Sequence, residues 1–169
     1  YKKTYCDQSS VEVPCIAGPF LMARQEMIQE IGLLDEDFFL FSEESDWCKR
    51  AHAKGWACAY VPNVSIHHLL GRCRAIQAHS FSEYHFHRSR LLFFLKHYPC
   101  SHAVAVAFTY IICGFWGLLF ELAKLPVHLC KGKSFNQDCL PVAYAPLKAV
   151  WNVLKDRWIK PLKTRSTAR

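Results

Sequence analysis

The chain reads as an α/β protein whose last part turns wholly helical. Two patterns along its 169 residues predict this. Up to residue 68, short apolar runs bounded by Gly and Pro alternate with short helical segments, as when strands are set among helices. From residue 81 onward, apolar residues recur at helical spacing or fill a long uncharged stretch. Composition agrees. Hydrophobic residues make up 51% and charged residues 21%, too apolar for a disordered chain, and 7 Gly with 8 Pro exclude a collagen-like or linker protein.

Each element has its own signal. Residues 1–12 are polar and read as an irregular entry. Residues 13–22 (VPCIAGPFLM) read as a buried strand broken at Gly18-Pro19, or as a strand-to-helix turn. Residues 23–31 form a short helix that Gly32 ends. Residues 33–41 (LLDEDFFLF) mix acids with aromatics and read as a loop. Ser42 is a favoured N-cap, and Glu43, Glu44 and Asp46 fall in the first turn of the next helix, where carboxylates suit the positive helix end. That helix runs to Lys54 and stops at Gly55. Residues 56–61 read as a strand, Pro62-Asn63 as a turn, residues 64–67 as a second strand and residues 69–80 as a loop. Residues 81–98 form a helix that Pro99 ends. Residues 103–120 carry no charge, and as a helix they measure roughly 27 Å, close to a bilayer's hydrocarbon thickness. A polar link over 129–140 precedes an amphipathic helix over 142–159, with Val150, Trp151, Leu154 and Trp158 on one face. A basic tail closes the chain, and no internal repeat is visible.

Charge divides along the chain. Residues 1–60 hold 6 Lys/Arg against 10 Asp/Glu, whereas residues 61–169 hold 15 against 4. A basic surface beside apolar helices suits anionic lipid headgroups or phosphates. Nucleic acid is the competing reading and is not the expected partner, because long apolar runs interrupt the basic residues and no nucleic-acid motif is present. The 9 cysteines include no CxxC pair. They read as small buried hydrophobes in a reducing compartment rather than a metal knuckle or disulfide framework. His79, His85, His87 and Cys73 lack zinc-site spacing, since His85 and His87 lie about 200° apart on a helix.

Seven segments carry a resemblance. They are GPFLMAR (18–24), IGLLDEDFF (31–39), SEESDWCKRA (42–51), KGW (54–56), YVP (60–62), HH (67–68) and RSRLLFFLKHYP (88–99). In this order and spacing the chain resembles the family 2 glycosyltransferases of the GT-A fold, in particular rhamnosyltransferase-like members, over residues 13–99. The resemblance implies the acceptor-side half of a Rossmann-like domain with a mixed sheet over residues 1–99. Over residues 100–169 it implies apolar and amphipathic helices, a membrane-associated region with the basic tail. It further implies inverting sugar transfer from a nucleotide-sugar donor to a lipid-linked or polysaccharide acceptor, at the cytoplasmic face of the membrane. The nucleotide-binding half would come earlier than Tyr1, so the chain alone is expected to be inactive.

By that resemblance Glu44 is the base that takes the acceptor hydroxyl proton. It is a Glu where the family usually has Asp. Glu43, Asp46 and Trp47 would line the acceptor side, and Gly18 would lie near the donor diphosphate. Pro19 replaces the usual Ala and removes a backbone donor. His68 would ligate Mn²⁺ or Mg²⁺ beside the diphosphate. From residue physics alone, Glu43, Glu44 and Asp46 read first as helix-capping carboxylates, and the resemblance reverses that reading. Trp47 reads equally as a core aromatic. Asp35-Glu36-Asp37 spells D-x-D, but it follows Gly18 instead of ending an apolar strand before it, so it reads as a solvated loop. The helix over 103–120 is compatible with peripheral attachment, a membrane span or soluble packing. The alternative function is a non-catalytic membrane-anchoring or interaction module.

Overall fold

A computed structural model describes residues 10–68, 79–130 and 139–159. The entry over 1–9, most of the 69–80 loop with Cys73, residues 131–138 of the link and the tail over 160–169 lie outside the described residues. The chain divides into two compact units, Tyr1–Leu70 and Gly71–Arg169.

The first unit holds two strands, β1 (Val11–Glu12) and β2 (Ala59–Tyr60), and two helices, α1 (Gln25–Ile31) and α2 (Glu43–Ala53). The strands pair antiparallel, Val11 opposite Tyr60 and Glu12 opposite Ala59. The backbone N–H of Val13 extends the ladder by donating to the Cys58 carbonyl at 2.8 Å. This corrects the expected fold class. The described chain is mostly helical with one two-stranded sheet, not an α/β half with a Rossmann-like mixed sheet. The physical reason is pairing. An apolar run becomes a strand only where a neighbour takes its N–H and C=O groups. Residues 13–22 instead turn through a 3-10 segment, Gly18–Phe20, and residues 64–68 form no regular element. Pro19 fits that turn, because the first positions of a helical turn leave their N–H groups unused.

The helix ends follow local rules. Gly32 takes φ 79° and donates its N–H to the Ile28 carbonyl at 2.9 Å, closing α1. Gly55, with φ 84°, closes α2 by donating to the His52 carbonyl at 3.0 Å. In the connecting loop, Asp37 N–H donates to Asp35 Oδ1 at 3.0 Å and Phe38 N–H to the Asp35 carbonyl at 3.1 Å. Asp35 is thus a turn former, and Phe38 is buried behind it.

The second unit packs three helices, α3 (His79–His97), α4 (Cys100–Cys130) and α5 (Cys139–Ile159), each against the other two. Pro99 separates α3 from α4 and its carbonyl accepts the His102 N–H at 3.0 Å. Small buried residues, Ser89, Ala103, Ala145 and Ala149, let the helices approach closely. A Cβ on Gly114 of α4 would fall 2.8 Å from Leu147 Cγ of α5. Polar clamps complete the packing. Asn152 Nδ2 donates to the Tyr84 hydroxyl at 2.9 Å, and Arg88 meets Asp156 at 3.6 Å.

Two apolar patterns resolve differently from expectation. On α5, Val150 is buried with Ala145, Ala149 and Val153, while Trp151 and Leu154 are exposed. The expected single face is therefore split in two. On α4, Cys100–Lys124 is the one helix among the described residues long and apolar enough to cross a membrane, and only 17% of its most apolar window is buried. The cysteines are free where described, but Cys15, Cys100 and Cys113 are exposed and only Cys48 and Cys58 are buried.

Candidate functional site

The acidic N-terminus of α2 is the chemical focus of the first unit. Two consecutive non-glycine residues lead into it with positive φ, Phe41 at 66° and Ser42 at 66°. Such backbone is strained for residues bearing a Cβ, and it concentrates at functional turns. Ser42 occupies the N-cap position, yet its left-handed backbone carries no side-chain cap bond. The helix starts instead through Asp46 N–H donating to the Ser42 carbonyl at 2.9 Å.

Glu43 and Glu44 present carboxylates at this end. Oε2 of each is shielded from solvent, and no described residue donates to either atom. Burial pushes the Glu44 carboxyl above the usual carboxylate range, and the neighbouring Glu43 charge adds to the shift. The helix end alone would lower it, and the Glu44 N–H bond does act in that direction, but desolvation wins. A carboxylate whose proton affinity is raised is a stronger general base. Gly18 lies opposite. A Cβ there would stand 3.9 Å from Glu44 Cδ, so the 3-10 turn and the helix end bring these two expected residues together.

Asp46 and Trp47 point inward. Asp46 is 1% exposed, and its Oδ2 accepts from Arg50 Nε at 2.8 Å. Arg50 carries the load onward. Its two terminal nitrogens donate to the Ile31 carbonyl at 2.6 Å and the Leu33 carbonyl at 2.8 Å. Trp47 Nε1 donates to the Gly32 carbonyl at 2.9 Å. One stretch, 31–33, is thus gripped by two side chains of α2. Sequence reasoning missed Arg50. Its i,i+4 spacing from Asp46 was the available signal.

Trp47 also borders an apolar hollow of about 220 Å³, with Ile16, Met22, Met27, Cys48 and Cys58 among its walls. Burial pushes the Cys48 thiol up, and partial burial does the same at Cys15, which stays exposed at its surface. Cys15 Sγ donates weakly to Ser45 Oγ at 3.6 Å, pinning the chain before Gly18 onto α2.

His68 is exposed, in backbone of no regular form. No three or more His, Cys, Asp or Glu gather to hold a metal among the described residues. An octahedral Mg²⁺ or Mn²⁺ takes six ligands, and one exposed imidazole does not make that site.

No family model matches the chain. No solved structure matches it. Two curated relatives do, both named N-acetylglucosaminyl-diphospho-decaprenol L-rhamnosyltransferase, from Mycobacterium tuberculosis strains CDC 1551 / Oshkosh and ATCC 25618 / H37Rv. Each is 29% identical over 68 residues, which is 40% of this chain and 22% of the relative. The match spans about a fifth of the relatives' length, and links this chain to glycosyltransferases at a coarse level.

Proposed function

We propose that the chain carries the acceptor-side base of a sugar transfer, held beside a membrane. The carrying observation is the Glu44 carboxyl, lifted by burial and set at a strained helix entry with an oxygen that no described residue serves. A carboxylate of this kind accepts the proton of an attacking hydroxyl as the glycosidic bond forms. Glu43 raises its affinity for that proton. Gly18 lies against it, a Cβ there standing in ordinary contact with the Glu44 carboxyl carbon at 3.9 Å.

Asp46 acts in this reading as a positioning residue, because its carboxylate holds Arg50 and through it the 31–33 turn. Trp47 offers one wall of the apolar hollow to the acceptor. Support for the substrate class comes from the relatives, whose printed names describe rhamnosyl transfer to a diphospho-decaprenol-linked N-acetylglucosamine. We extend to this chain a nucleotide-sugar donor and a lipid-linked or polysaccharide acceptor. In this reading donor binding lies outside these 169 residues, so the isolated chain has no turnover. No step is assigned to Mn²⁺ or Mg²⁺, since His68 alone does not fit one. The apolar helix Cys100–Lys124 supports membrane attachment, which we place at the cytoplasmic face where nucleotide-sugars are available.

The test is transfer of labelled sugar from nucleotide-sugars to polyprenyl-diphosphate-linked acceptors by the full-length protein containing this chain. Labelled lipid is the expected product. Donor hydrolysis without acceptor labelling, or no consumption of any donor, contradicts the reading.

A further inference from the structure

The helix α5 carries an outward face that the interior does not use. Tyr144, Lys148, Trp151 and Lys155 follow one another at i, i+4, i+7 and i+11, a single stripe along a helix. All are exposed, Trp151 at 69%, and Leu154 flanks the stripe at 56%. The opposite stripe, Ala145, Ala149, Val150 and Val153, is the buried one. A helix that is apolar on both sides, with lysines on the outer side only, has one side left to cover.

The chemistry of that side selects an occupant. Trp and Tyr together with Lys are the residues of a membrane interface, where rings sit at headgroup level and ammonium groups reach anionic phosphates. Lysine is depleted from protein–protein interfaces, which argues against a second protein chain. The acid nearby does not oppose it: Asp156 pairs with Arg88 of α3. Lys148 Nζ lies 5.4 Å from the centroid of the Tyr84 ring of α3. The same unit contains the exposed apolar helix α4, whose Lys124 stands 4.0 Å over the Phe120 ring and pairs with Glu121 at 2.8 Å at the end of the apolar stretch.

We propose that the Tyr144–Lys148–Trp151–Lys155 face of α5 lies on the membrane surface and binds anionic lipid headgroups. The proposal rests on the membrane attachment read above and adds a lipid preference that α4, lacking charge in its apolar stretch, does not supply. Each lysine near an anionic surface contributes about fivefold in partitioning, so the pair contributes roughly 30-fold.

The experiment measures partitioning of the full chain onto phosphatidylcholine vesicles and onto vesicles that also contain phosphatidylglycerol. Wild type is expected to prefer the anionic vesicles. The Lys148→Gln/Lys155→Gln double variant is expected to lose roughly 30-fold of that preference, with phosphatidylcholine binding unchanged. Lys148→Arg/Lys155→Arg should retain it, and Trp151→Ala should weaken binding to both. Helical circular dichroism of each variant checks that the fold survives. If the double Gln variant keeps the anionic preference, the face is not the contact, while attachment through α4 stands. If wild type binds neither vesicle, both this proposal and the membrane attachment fall. Stoichiometric displacement by a single-stranded oligonucleotide at moderate salt identifies a nucleic-acid surface and overturns the lipid assignment.

Discussion

Arg50 donates through Nε to the 1%-exposed carboxylate of Asp46 at 2.8 Å and spends its remaining nitrogens on the carbonyls of Ile31 and Leu33. This one guanidinium joins the end of α1 to the first turns of α2. It therefore sets where Glu44 stands relative to the preceding loop.

Asp46→Ala removes the acceptor that orients Arg50 and strips the buried end of the pair. A charge-assisted hydrogen bond of this type contributes about 1.5–3 kcal/mol. A destabilisation of about 2–3 kcal/mol in urea titration is the expected outcome. Arg50→Lys should reproduce part of it, since an ammonium cannot span both carbonyls and the carboxylate. An unchanged midpoint for Asp46→Ala would show that the pair is ornamental.

Glu44 yields a pH-dependent prediction. Its folded carboxyl is raised above its unfolded value, so the folded state holds its proton more tightly. The resulting stabilisation is complete below the ordinary carboxylate range and is lost as pH rises through the folded value. Glu44→Gln should therefore melt higher than wild type at neutral pH and equal to it below the carboxylate range. The comparison is a pair of thermal melts at each pH. A lower melting temperature for Glu44→Gln at neutral pH would contradict the burial account.

In the helical unit, His85 and His87 shift the other way. Burial lowers both, with Arg88 beside His85 and Arg90 beside His87 adding to it, while Glu83, 3.8 Å from His87, opposes it. Stability from a lowered imidazole is present above its ordinary value and is lost as pH falls through the folded one. Acidification below about pH 6.5 should loosen α3. Amide exchange across residues 79–97 reads this directly, and His87→Gln should reduce the acid sensitivity.

Gly114 is fixed by contact rather than by backbone angle. A side chain there meets Leu147 Cγ at 2.8 Å, too close unless the Leu147 side chain or the helices move. Gly114→Val should cost about 1–3 kcal/mol through overpacking, and Gly114→Ala less. Denaturation in detergent micelles measures both.

Local chemistry was legible in the sequence, and pairing was not. Gly32 and Gly55 end helices because only glycine takes their positive φ readily, and Pro99 divides α3 from α4; such signals sit within a few residues. The strand reading of 13–22 and the strand expected over 64–67 failed because a strand exists only with its neighbour, and periodicity says nothing about the neighbour; the 3-10 segment Gly18–Phe20 answers to the other reading of 13–22, a turn before a helix. On α5, Trp151 and Leu154 were grouped with Val150, because helical spacing cannot say which of two adjacent apolar stripes meets protein. The site shows the same division. Spacing placed Glu43, Glu44 and Asp46 in the first turn of α2. It could not tell that Asp46 turns inward to Arg50, or that burial overrides the helix end at Glu44.

The central claim is that the Glu44 carboxylate takes the acceptor proton, and the most direct measurement compares sugar-transfer turnover of the full-length protein with that of Glu44→Gln. Removing a general base should lower kcat by about 10²–10⁴-fold. Binding of the nucleotide-sugar should be retained and the fold intact or more stable. Normal turnover in Glu44→Gln would contradict the assignment outright and return the acidic end of α2 to a purely structural role.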